Sequence, residues 1–234
     1  MTSLETHLAT QAKQSRDFFW HRLRWRAVRR YVPPDRRMDL VDVGAGAGLL
    51  GEYLRAERPS VRYLFVEPIV SLERELERRF GVDSNARSVE TYSAHVVTLL
   101  DVLEHQEDDV GFLRKLAERA GVGCTIIITV PALPALWSPW DESLGHFTRY
   151  TKRSLRETAE SASLHTRELS YLFPEMIPGA VARKFRRGDG LDDATFPDLP
   201  RLINGSLTGI GVVTQAARRV VPFGTSLFAV FERA

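Results

Sequence analysis

A glycine-rich turn constrains the fold of this chain more than any other feature of its sequence. The turn comprises residues 42–48, Asp-Val-Gly-Ala-Gly-Ala-Gly, and joins a short β-rich run at 40–43 to a helical segment at 49–55. Glycine is needed where a tight strand-to-helix turn brings the backbone close to a ligand, because a Cβ atom would collide there. The free N–H groups at the start of the next helix suit a carboxylate or a phosphate. The sequence therefore predicts a strand–turn–helix unit that holds a ligand.

Strand-like and helical segments alternate along the rest of the chain. Apolar and β-branched runs predict further strands at 61–66, 95–100, 125–130, 165–172 and 225–231. Helical spacing predicts one or two helices within 4–31, and others at 71–80, 108–120 and 151–161. A third strand is expected between Asp83 and Tyr92, where the pattern is poor. The alternation predicts an α/β fold, a Rossmann-like doubly wound and mostly parallel sheet with helices on both faces.

The length and composition indicate one domain. The chain has 234 residues, of which 44% are hydrophobic, enough for one substantial core. We expect a single domain over 1–234, and within it four parts. These are an N-terminal helical cover at 1–37, a ligand-binding core at 38–172, an insertion or lid at 173–220 with one helix at about 206–219, and a closing strand at 221–234.

Charge and cysteine content bound the partners and the compartment. The net charge of +2 is close to neutral, and the basic run at 22–30 favours a solvated helix face over a nucleic-acid or membrane surface. No nucleic-acid partner is therefore expected. With Cys124 as its one cysteine, the chain forms no intramolecular disulfide, which fits a cytoplasmic location. Neither a secretory signal nor a membrane-spanning segment is expected.

Two nucleoside cofactors fit the glycine turn. Glu67 ends the second predicted strand, where a carboxylate accepts hydrogen bonds from ribose hydroxyls. A dinucleotide site has Gly-x-Gly-x-x-Gly directly after the strand, and that pattern matches only from Gly46, through Gly48 to Gly51. The frame Asp-x-Gly-x-Gly-x-Gly fits from Asp42 without an intruding residue. An NAD(P)-dependent oxidoreductase stays open at this point.

The next strand end favours the second frame. Residues 100–105, Leu-Asp-Val-Leu-Glu-His, are followed by Asp108 and Asp109. This segment resembles the post-strand-four motif of class I S-adenosylmethionine-dependent methyltransferases, including those that O-methylate quinone precursors. Residues 130–133, 137–141 and 145–150 resemble a bacterial subgroup of that superfamily. The resemblance covers about 38–172 and the closing residues 222–226.

The resemblance implies a cofactor site for S-adenosylmethionine, with S-adenosylhomocysteine as product. Asp42, Gly44, Gly46 and Gly48 would hold the methionine part, and Glu67 the ribose. The sulfonium would lie near a strand end formed by Leu100, Asp101 and Val102. The adenine would be contacted by one of Ser88, Val89 or Glu90.

Residues beyond the cofactor site suggest how an acceptor would react. A base is needed where the acceptor loses a proton, and His146 is favoured over His105, with Asp141 as another candidate. The bland interpretation is that His105 only shapes its loop and that residues 146–150 cap the next helix.

The same region offers walls for the acceptor. Trp137 and Trp140 would enclose an apolar or aromatic molecule, and Arg149, with Tyr150 beside it, would anchor an acidic group. The tryptophans could equally just pack in the core.

No tight spacing of ligand residues predicts a metal site, although Glu104, His105, Asp141 and His146 could in principle assemble such a site. The sequence predicts methyl transfer to a small molecule at oxygen. A catalytically idle binding module of the same fold is a further alternative.

Overall fold

The computed structural model describes residues 16–87, 90, 92, 94–185, 199–218 and 220–233. Its strands are β1 (Met38–Val43), β2 (Val61–Val66), β3 (Val96–Leu100), β4 (Thr125–Pro131), β5 (Leu164–Leu172) and β6 (Ser226–Arg233). Its helices are α1 (Phe19–Val28), α2 (Leu49–Glu57), α3 (Val70–Phe80), α4 (Asp109–Ala120), α5 (Pro139–Leu144), α6 (Lys152–Ser161), α7 (Ile177–Phe185) and α8 (Arg201–Ala216). No described helix is both long and apolar enough to cross a membrane.

The six strands form one sheet in the order β2-β1-β3-β4-β6-β5. The first four are parallel, and β6 runs antiparallel between β4 and β5. The carboxyl ends of the parallel strands therefore meet at one edge, where ligands bind in open α/β sheets. The glycine turn after β1, Glu67 after β2 and Asp101 after β3 all lie at that edge.

The sheet has a buried core on each face, because successive side chains of a strand point to opposite sides. Val41 and Val43 of β1 face a core that includes buried residues of α4 and α6. Met38 and Leu40, which alternate with them along β1, face the other core with α1, α2 and α3. The predicted doubly wound α/β fold is confirmed.

The expected strand between Asp83 and Tyr92 is wrong for the described part of that segment. Its backbone makes one isolated parallel bridge, from Asn85 to Phe65, instead of a ladder. The Asn85 side chain donates to Glu73 at 3.0 Å and to Glu77 at 2.9 Å, which ties the segment to α3. Polar residues at this sheet edge offer no apolar alternation to bury, so pairing stops after one bridge.

The C-terminal region is more helical than its sequence pattern indicates. Helix α8 begins at Arg201, ahead of the expected 206–219, and α7 lies in what was expected to be irregular chain. Of the predicted N-terminal helices, α1 is present, and residues 4–15 lie outside the described residues. The four-part division of the chain stays a prediction.

Helices α1 and α8 are packed closely against each other. A Cβ atom at Gly211 would overlap the side chain of Leu23. The Gln215 amide donates to the Leu23 carbonyl oxygen at 2.7 Å, and the Phe19 N–H donates to Asn204 Oδ1 at 2.8 Å. These contacts hold α1 over the carboxyl edge of the sheet.

Candidate active site

A cavity of about 510 Å³ opens at the carboxyl edge of the sheet. This volume is within the usual range for small-molecule sites, about 300–1,000 Å³. One end is lined by the turn after β1 and by the ends of β2 and β3, which we call the strand-end half. The other end is lined by α1, α5, α7, α8 and two histidines, which we call the helix half.

The glycine turn exposes backbone to the cavity. Gly44 and Gly46 both line it and have φ angles of 72° and 54°, in the left-handed region that favours glycine. A Cβ atom at Gly44 would lie 2.5 Å from Val102 Cγ2, so no larger residue fits without displacing Val102. Gly48 is not among the lining residues; its missing side chain makes room for Leu76 of α3. The turn thus exposes backbone to the cavity at Gly44 and Gly46, and at Gly48 it packs closely against α3.

Glu67 is buried at the floor of the strand-end half. It accepts hydrogen bonds from the Gly46 N–H at 2.7 Å and the Ile69 N–H at 2.9 Å. Burial raises the pKa of Glu67, and these two backbone donors act against that rise. Each carboxylate oxygen can accept more than one hydrogen bond, so capacity remains for hydroxyls in the cavity.

Asp42 is a second buried carboxyl group below the turn. Its oxygens accept from Thr98 Oγ1 at 2.7 Å and from the Tyr63 hydroxyl at 3.1 Å. Burial raises the pKa of Asp42 to about 6, although both hydroxyls favour the ionised form. Sequence reasoning missed Thr98 and Tyr63, because their roles depend on the pairing of β1 with β2 and β3.

Asp101 has an unusual backbone at the end of β3. Its φ of 62° is left-handed, which costs a residue with a side chain on the order of 1–3 kcal/mol. Thr129 Oγ1 donates to Oδ1 at 3.0 Å, and Arg24 of α1 lies 3.0 Å from Oδ2. The expectation of a solvated basic face is therefore wrong for Arg24, whose side chain turns into the cavity to pair with Asp101.

His146 is oriented by a buried ion-pair network. Its Nδ1 lies 3.0 Å from Asp141 Oδ1, which also accepts from Arg149 Nε at 2.8 Å. Arg149 Nη1 donates to the Ala132 carbonyl oxygen at 3.1 Å. Burial alone would raise the pKa of Asp141, but the hydrogen bonds from His146 and Arg149 prevail and lower it. Asp141 is fully buried behind His146 and does not line the cavity.

A second histidine and a second carboxyl group lie beside His146. The rings of His105 and His146 meet edge to face, with centroids 4.7 Å apart. Glu104 is 1% exposed, and its Oε2 has no hydrogen-bond partner among the described residues. Burial raises the pKa of Glu104 well above its usual range, and the nearby Asp101 adds to this.

The structure separates the sequence candidates of the helix half into two groups. Trp140, His105, His146 and Arg149 line the cavity. Trp137 and Tyr150 do not line it. The Trp137 indole donates to Glu142 at 3.2 Å, and the buried Tyr150 hydroxyl donates to Asp109 at 2.8 Å. The next helix, α6, is capped instead by Thr151, which accepts from the Ser154 N–H at 3.0 Å.

The adenine side of the cavity is less constrained. Ser88 and Val89 lie outside the described residues, and Glu90 is exposed and is not among the lining residues. On the opposite wall, Leu100 and Val102 flank Asp101 and line the cavity as expected. Residues 100–102 therefore line the cavity as the sequence predicts, whereas the adenine contact stays a prediction.

A family model described as a methyltransferase domain matches residues 16–169. The match covers more than half of the chain, so the protein belongs to this family, within the class I S-adenosylmethionine-dependent superfamily. The oxidoreductase alternative is thereby set aside, and the chain is a methyltransferase by family. No curated protein matches the sequence.

Solved structures share the fold at low sequence identity. A methyltransferase of Haloferax volcanii, solved with the methyltransferase activator Trm112, has a TM-score of 0.60 and 16% identity, with 96% of each chain covered. A SAM-dependent methyltransferase from Archaeoglobus fulgidus has a TM-score of 0.57 and 14% identity, covering 95% of this chain and 96% of that one.

An O-methyltransferase of neocarzinostatin biosynthesis, solved with S-adenosylmethionine and a naphthoic acid, also shares the fold. Its TM-score is 0.54 and its identity 15%, covering 92% of this chain and 55% of that one. The present chain thus spans about half of that enzyme's length.

The residues present fit S-adenosylmethionine. Gly44 and Gly46 present bare backbone to the cavity, and a side chain at Gly44 would displace Val102, which lines the same cavity. Glu67 is a buried acceptor suited to hydroxyl groups, and the Asp101 carboxylate, paired with Arg24, lies at the same edge of the cavity. The bare turn and the buried acceptor are therefore appropriate for a nucleoside with free ribose hydroxyls.

Proposed function

We propose that the protein transfers a methyl group from S-adenosylmethionine to a hydroxyl oxygen of a small molecule with an apolar or aromatic body. The observation that carries this proposal is the continuity of the cavity. It runs from the glycine turn and Glu67 to the two histidines without leaving the carboxyl edge of the sheet. A methyl donor and a hydroxyl acceptor can therefore bind side by side in one cavity.

The strand-end half would bind the cofactor. Glu67 would accept hydrogen bonds from the ribose hydroxyls while it holds the turn through Gly46. The backbone at Gly44 would approach the methionine part, and Leu100, Asp101 and Val102 would lie near the sulfonium. S-adenosylmethionine, when bound, supplies a methyl group that is already electrophilic. The protein then needs to supply position, exclusion of water and a path for the proton.

The helix half would bind the acceptor. The lining of the whole cavity is mainly apolar, and in this half it includes aromatic side chains of α1 and α5, with Leu144, Met176 and Leu207. Trp140 has the Arg183 guanidinium over its ring at 4.2 Å, which fixes one aromatic wall. Arg149 directs Nε and Nη1 to protein acceptors, so we assign it to holding Asp141 rather than to anchoring a substrate acid.

The reaction needs one proton to leave the acceptor. Asp141 engages His146 at Nδ1, which leaves Nε2 for a hydroxyl in the cavity. As the acceptor oxygen bonds to the methyl carbon, the carbon–sulfur bond breaks and its electron pair stays on sulfur. Nε2 of His146, beside His105, would accept the hydroxyl proton, and such general-base catalysis typically raises the rate by about 10²–10⁴-fold.

We further propose that the acceptor is a free metabolite in the cytoplasm, not a nucleic acid. The support is the character of the site, a mainly apolar cavity with the volume of a small-molecule site in place of a long basic groove. The free and buried Cys124 is compatible with a reducing compartment.

Calorimetry tests the cofactor part of the proposal. The protein is titrated separately with S-adenosylmethionine, S-adenosylhomocysteine, NADH and NADPH. We expect micromolar binding of the first two alone. Binding of a nicotinamide cofactor, or of none of the four, would contradict it. Release of S-adenosylhomocysteine is then followed with phenols of increasing apolar size, and no turnover across that panel would favour a catalytically idle module.

The assignment of Glu67 to the ribose has its own test. Glu67→Gln keeps the size of the side chain, but it removes the charge and turns one acceptor oxygen into a donor NH2 group, and a hydrogen bond to a charged group contributes about 1.5–3 kcal/mol. We expect S-adenosylhomocysteine affinity to fall by roughly ten- to a hundredfold for one lost bond of that size. Glu57→Gln, at an exposed position of α2, is the matched control. Equal affinities of the two variants would refute the assignment.

A further inference from the structure

We propose that Glu104, His105 and His146 form a binding site for a divalent transition-metal ion in the helix half of the cavity. Each residue offers one ligand atom, and the three atoms all lie within 4.8 Å of one another. All three residues line the cavity, so an ion held there would face the acceptor. From the sequence, these three residues with Asp141 were named as a set that could in principle assemble a metal site, but no tight ligand spacing predicted one.

Glu104 gives the independent reason to expect a ligand. Its Oε2 is buried and has no hydrogen-bond partner in the part of the chain that the structure describes. Leaving a buried polar group unsatisfied costs about 1–3 kcal/mol, and more for a charged one. An ion bound at Oε2 would remove this deficit. The position of Glu104 is fixed from behind, because its carbonyl oxygen accepts from the Phe147 N–H at 2.8 Å.

His146 already has the outer shell that metal-binding histidines have. Its Nδ1 is engaged by Asp141 Oδ1 at 3.0 Å, and Arg149 holds the same oxygen at 2.8 Å. Such a carboxylate fixes the ring and its tautomer, and it leaves Nε2 as the ligand atom. His146 is therefore already oriented as a metal-binding histidine would be.

The ligand types select the class of ion. Two imidazoles and one carboxylate suit zinc, iron or another first-row transition ion, whereas magnesium prefers oxygen ligands. Tetrahedral zinc, with bonds of about 2.0–2.2 Å, needs ligand atoms about 3.3 Å apart, so the three side chains would close in around it. Three protein ligands leave a fourth position open, as in catalytic zinc sites. That open position would take the acceptor hydroxyl.

The inference rests on the proposed function and refines one step of it. A hydroxyl bound to the ion has a lowered pKa and releases its proton to solvent. The oxygen then bonds to the methyl carbon while the carbon–sulfur electron pair goes to sulfur. Because Nε2 of His146 has one lone pair, it either takes the proton or binds the ion. With an ion bound, His146 is a ligand.

Metal titration of the tag-free protein tests the site. After treatment with EDTA and dialysis, the protein is titrated with zinc chloride by calorimetry and with cobalt(II) followed by its visible absorption. We expect one high-affinity ion per chain. Glu104→Gln and His105→Ala should each weaken zinc binding by about a hundredfold or more, and Asp141→Asn, through the outer shell, by about 10–100-fold. Thermal melts check that each variant is folded.

The matched control is His165→Ala, on the exposed face of β5, which should bind zinc as the unchanged protein does. Absence of zinc binding, or binding that Glu104→Gln and His105→Ala leave intact, would overturn the site. These measurements need neither cofactor nor acceptor. Zinc binding without methyl transfer would refute the proposed function and keep the site, whereas EDTA-resistant transfer without zinc binding would do the reverse.

Discussion

The two halves of the cavity are built in different ways. The strand-end half comes from residues at the ends of neighbouring parallel strands, with Gly44, Glu67 and Asp101 each directly after a strand. The helix half is assembled from side chains of segments far apart in sequence, from α1 to α8. One half is thus defined by backbone and topology, and the other by side chains that pack together.

This difference separates what the fold determines from what it permits. This sheet order places the residues that follow β1, β2 and β3 at one edge of the sheet. In this chain those residues are Gly44, Glu67 and Asp101. The histidine cluster needs in addition the Asp141–Arg149 network and the loop after β3. We therefore expect substitutions in the strand-end half to affect cofactor binding, and those in the helix half to affect the acceptor and turnover.

The largest expected effect tests the separation itself. His146→Ala should lower kcat by about 10²–10⁴-fold, because the hydroxyl proton is no longer removed efficiently. S-adenosylhomocysteine affinity, measured by calorimetry, should stay within about twofold. His165→Ala should change neither quantity. Full activity of His146→Ala, or loss of cofactor binding in it, would break the division between the halves.

The next effect concerns the stability of the strand-end half. The pKa of Asp42 is about 6 in the folded protein, above the value of about 3.9 expected after unfolding. Its protonated form therefore stabilises the fold below about pH 4, and this stability is lost as pH rises to about 6. At 1.36 kcal/mol per pH unit, the loss is about 3 kcal/mol.

Urea unfolding of the cofactor-free protein between pH 4 and 7 measures this loss. Asp42→Asn does not ionise, so the difference in unfolding free energy between it and the unchanged protein should shift by about 3 kcal/mol over that range. Asp39→Asn, on the same strand but partly exposed, is the control. Parallel pH profiles of the unchanged protein and Asp42→Asn would contradict the prediction.

A smaller effect separates backbone strain from ligand contact. Ala at a left-handed position costs about 1–2 kcal/mol, and Gly44 and Gly123 have similar φ angles of 72° and 77°. A Cβ at Gly44 meets Val102, whereas one at Gly123 meets nothing within 4 Å. Gly44→Ala should therefore weaken S-adenosylhomocysteine binding about tenfold or more, and Gly123→Ala should lower the melting temperature alone. Equal affinities would show that the turn does not contact the cofactor.

The smallest effect compares two tryptophans that the sequence treats alike. Trp140 lines the cavity and Trp137 does not. Trp140→Phe should raise the acceptor KM roughly fivefold, equivalent to about 1 kcal/mol of aromatic contact. Trp137→Phe should leave KM unchanged. A larger rise in KM for Trp137→Phe than for Trp140→Phe would contradict the assignment of the acceptor to this cavity.

The sequence was sufficient for the strand-end half and insufficient for the helix half. Hydrophobic period and glycine spacing specify β1, β2 and the turn, and the motif after β3 locates Asp101. Neither property reports which side chains of distant segments converge. Arg24 was therefore interpreted as part of a solvated face, and a cluster of Glu104 with His105 and His146 was named without any spacing that would predict it.

A sharper example is the pair of acceptor-site candidates that do not line the cavity. Trp137 and Tyr150 have the residue types of an acceptor site, but each is engaged by a carboxylate outside the cavity. Residue type predicts what a side chain can do, and only packing decides where it points. The segment around Asn85 teaches the same lesson in its described residues, because side-chain hydrogen bonds to Glu73 and Glu77 tie it to α3, and residue types alone do not predict such contacts.

The contact between α1 and α8 has a consequence for the order in which the molecule is assembled. The bond from Phe19 to Asn204 spans 185 residues, and that from Gln215 to Leu23 spans 192. Contacts of such separation form late in folding, because a long loop must close first. During synthesis, β1 to β4 can pair once residue 131 has emerged, whereas the cover over the cavity waits for α8. We therefore expect the nascent chain to form the strand-end half of the cavity before α8 completes the helix half.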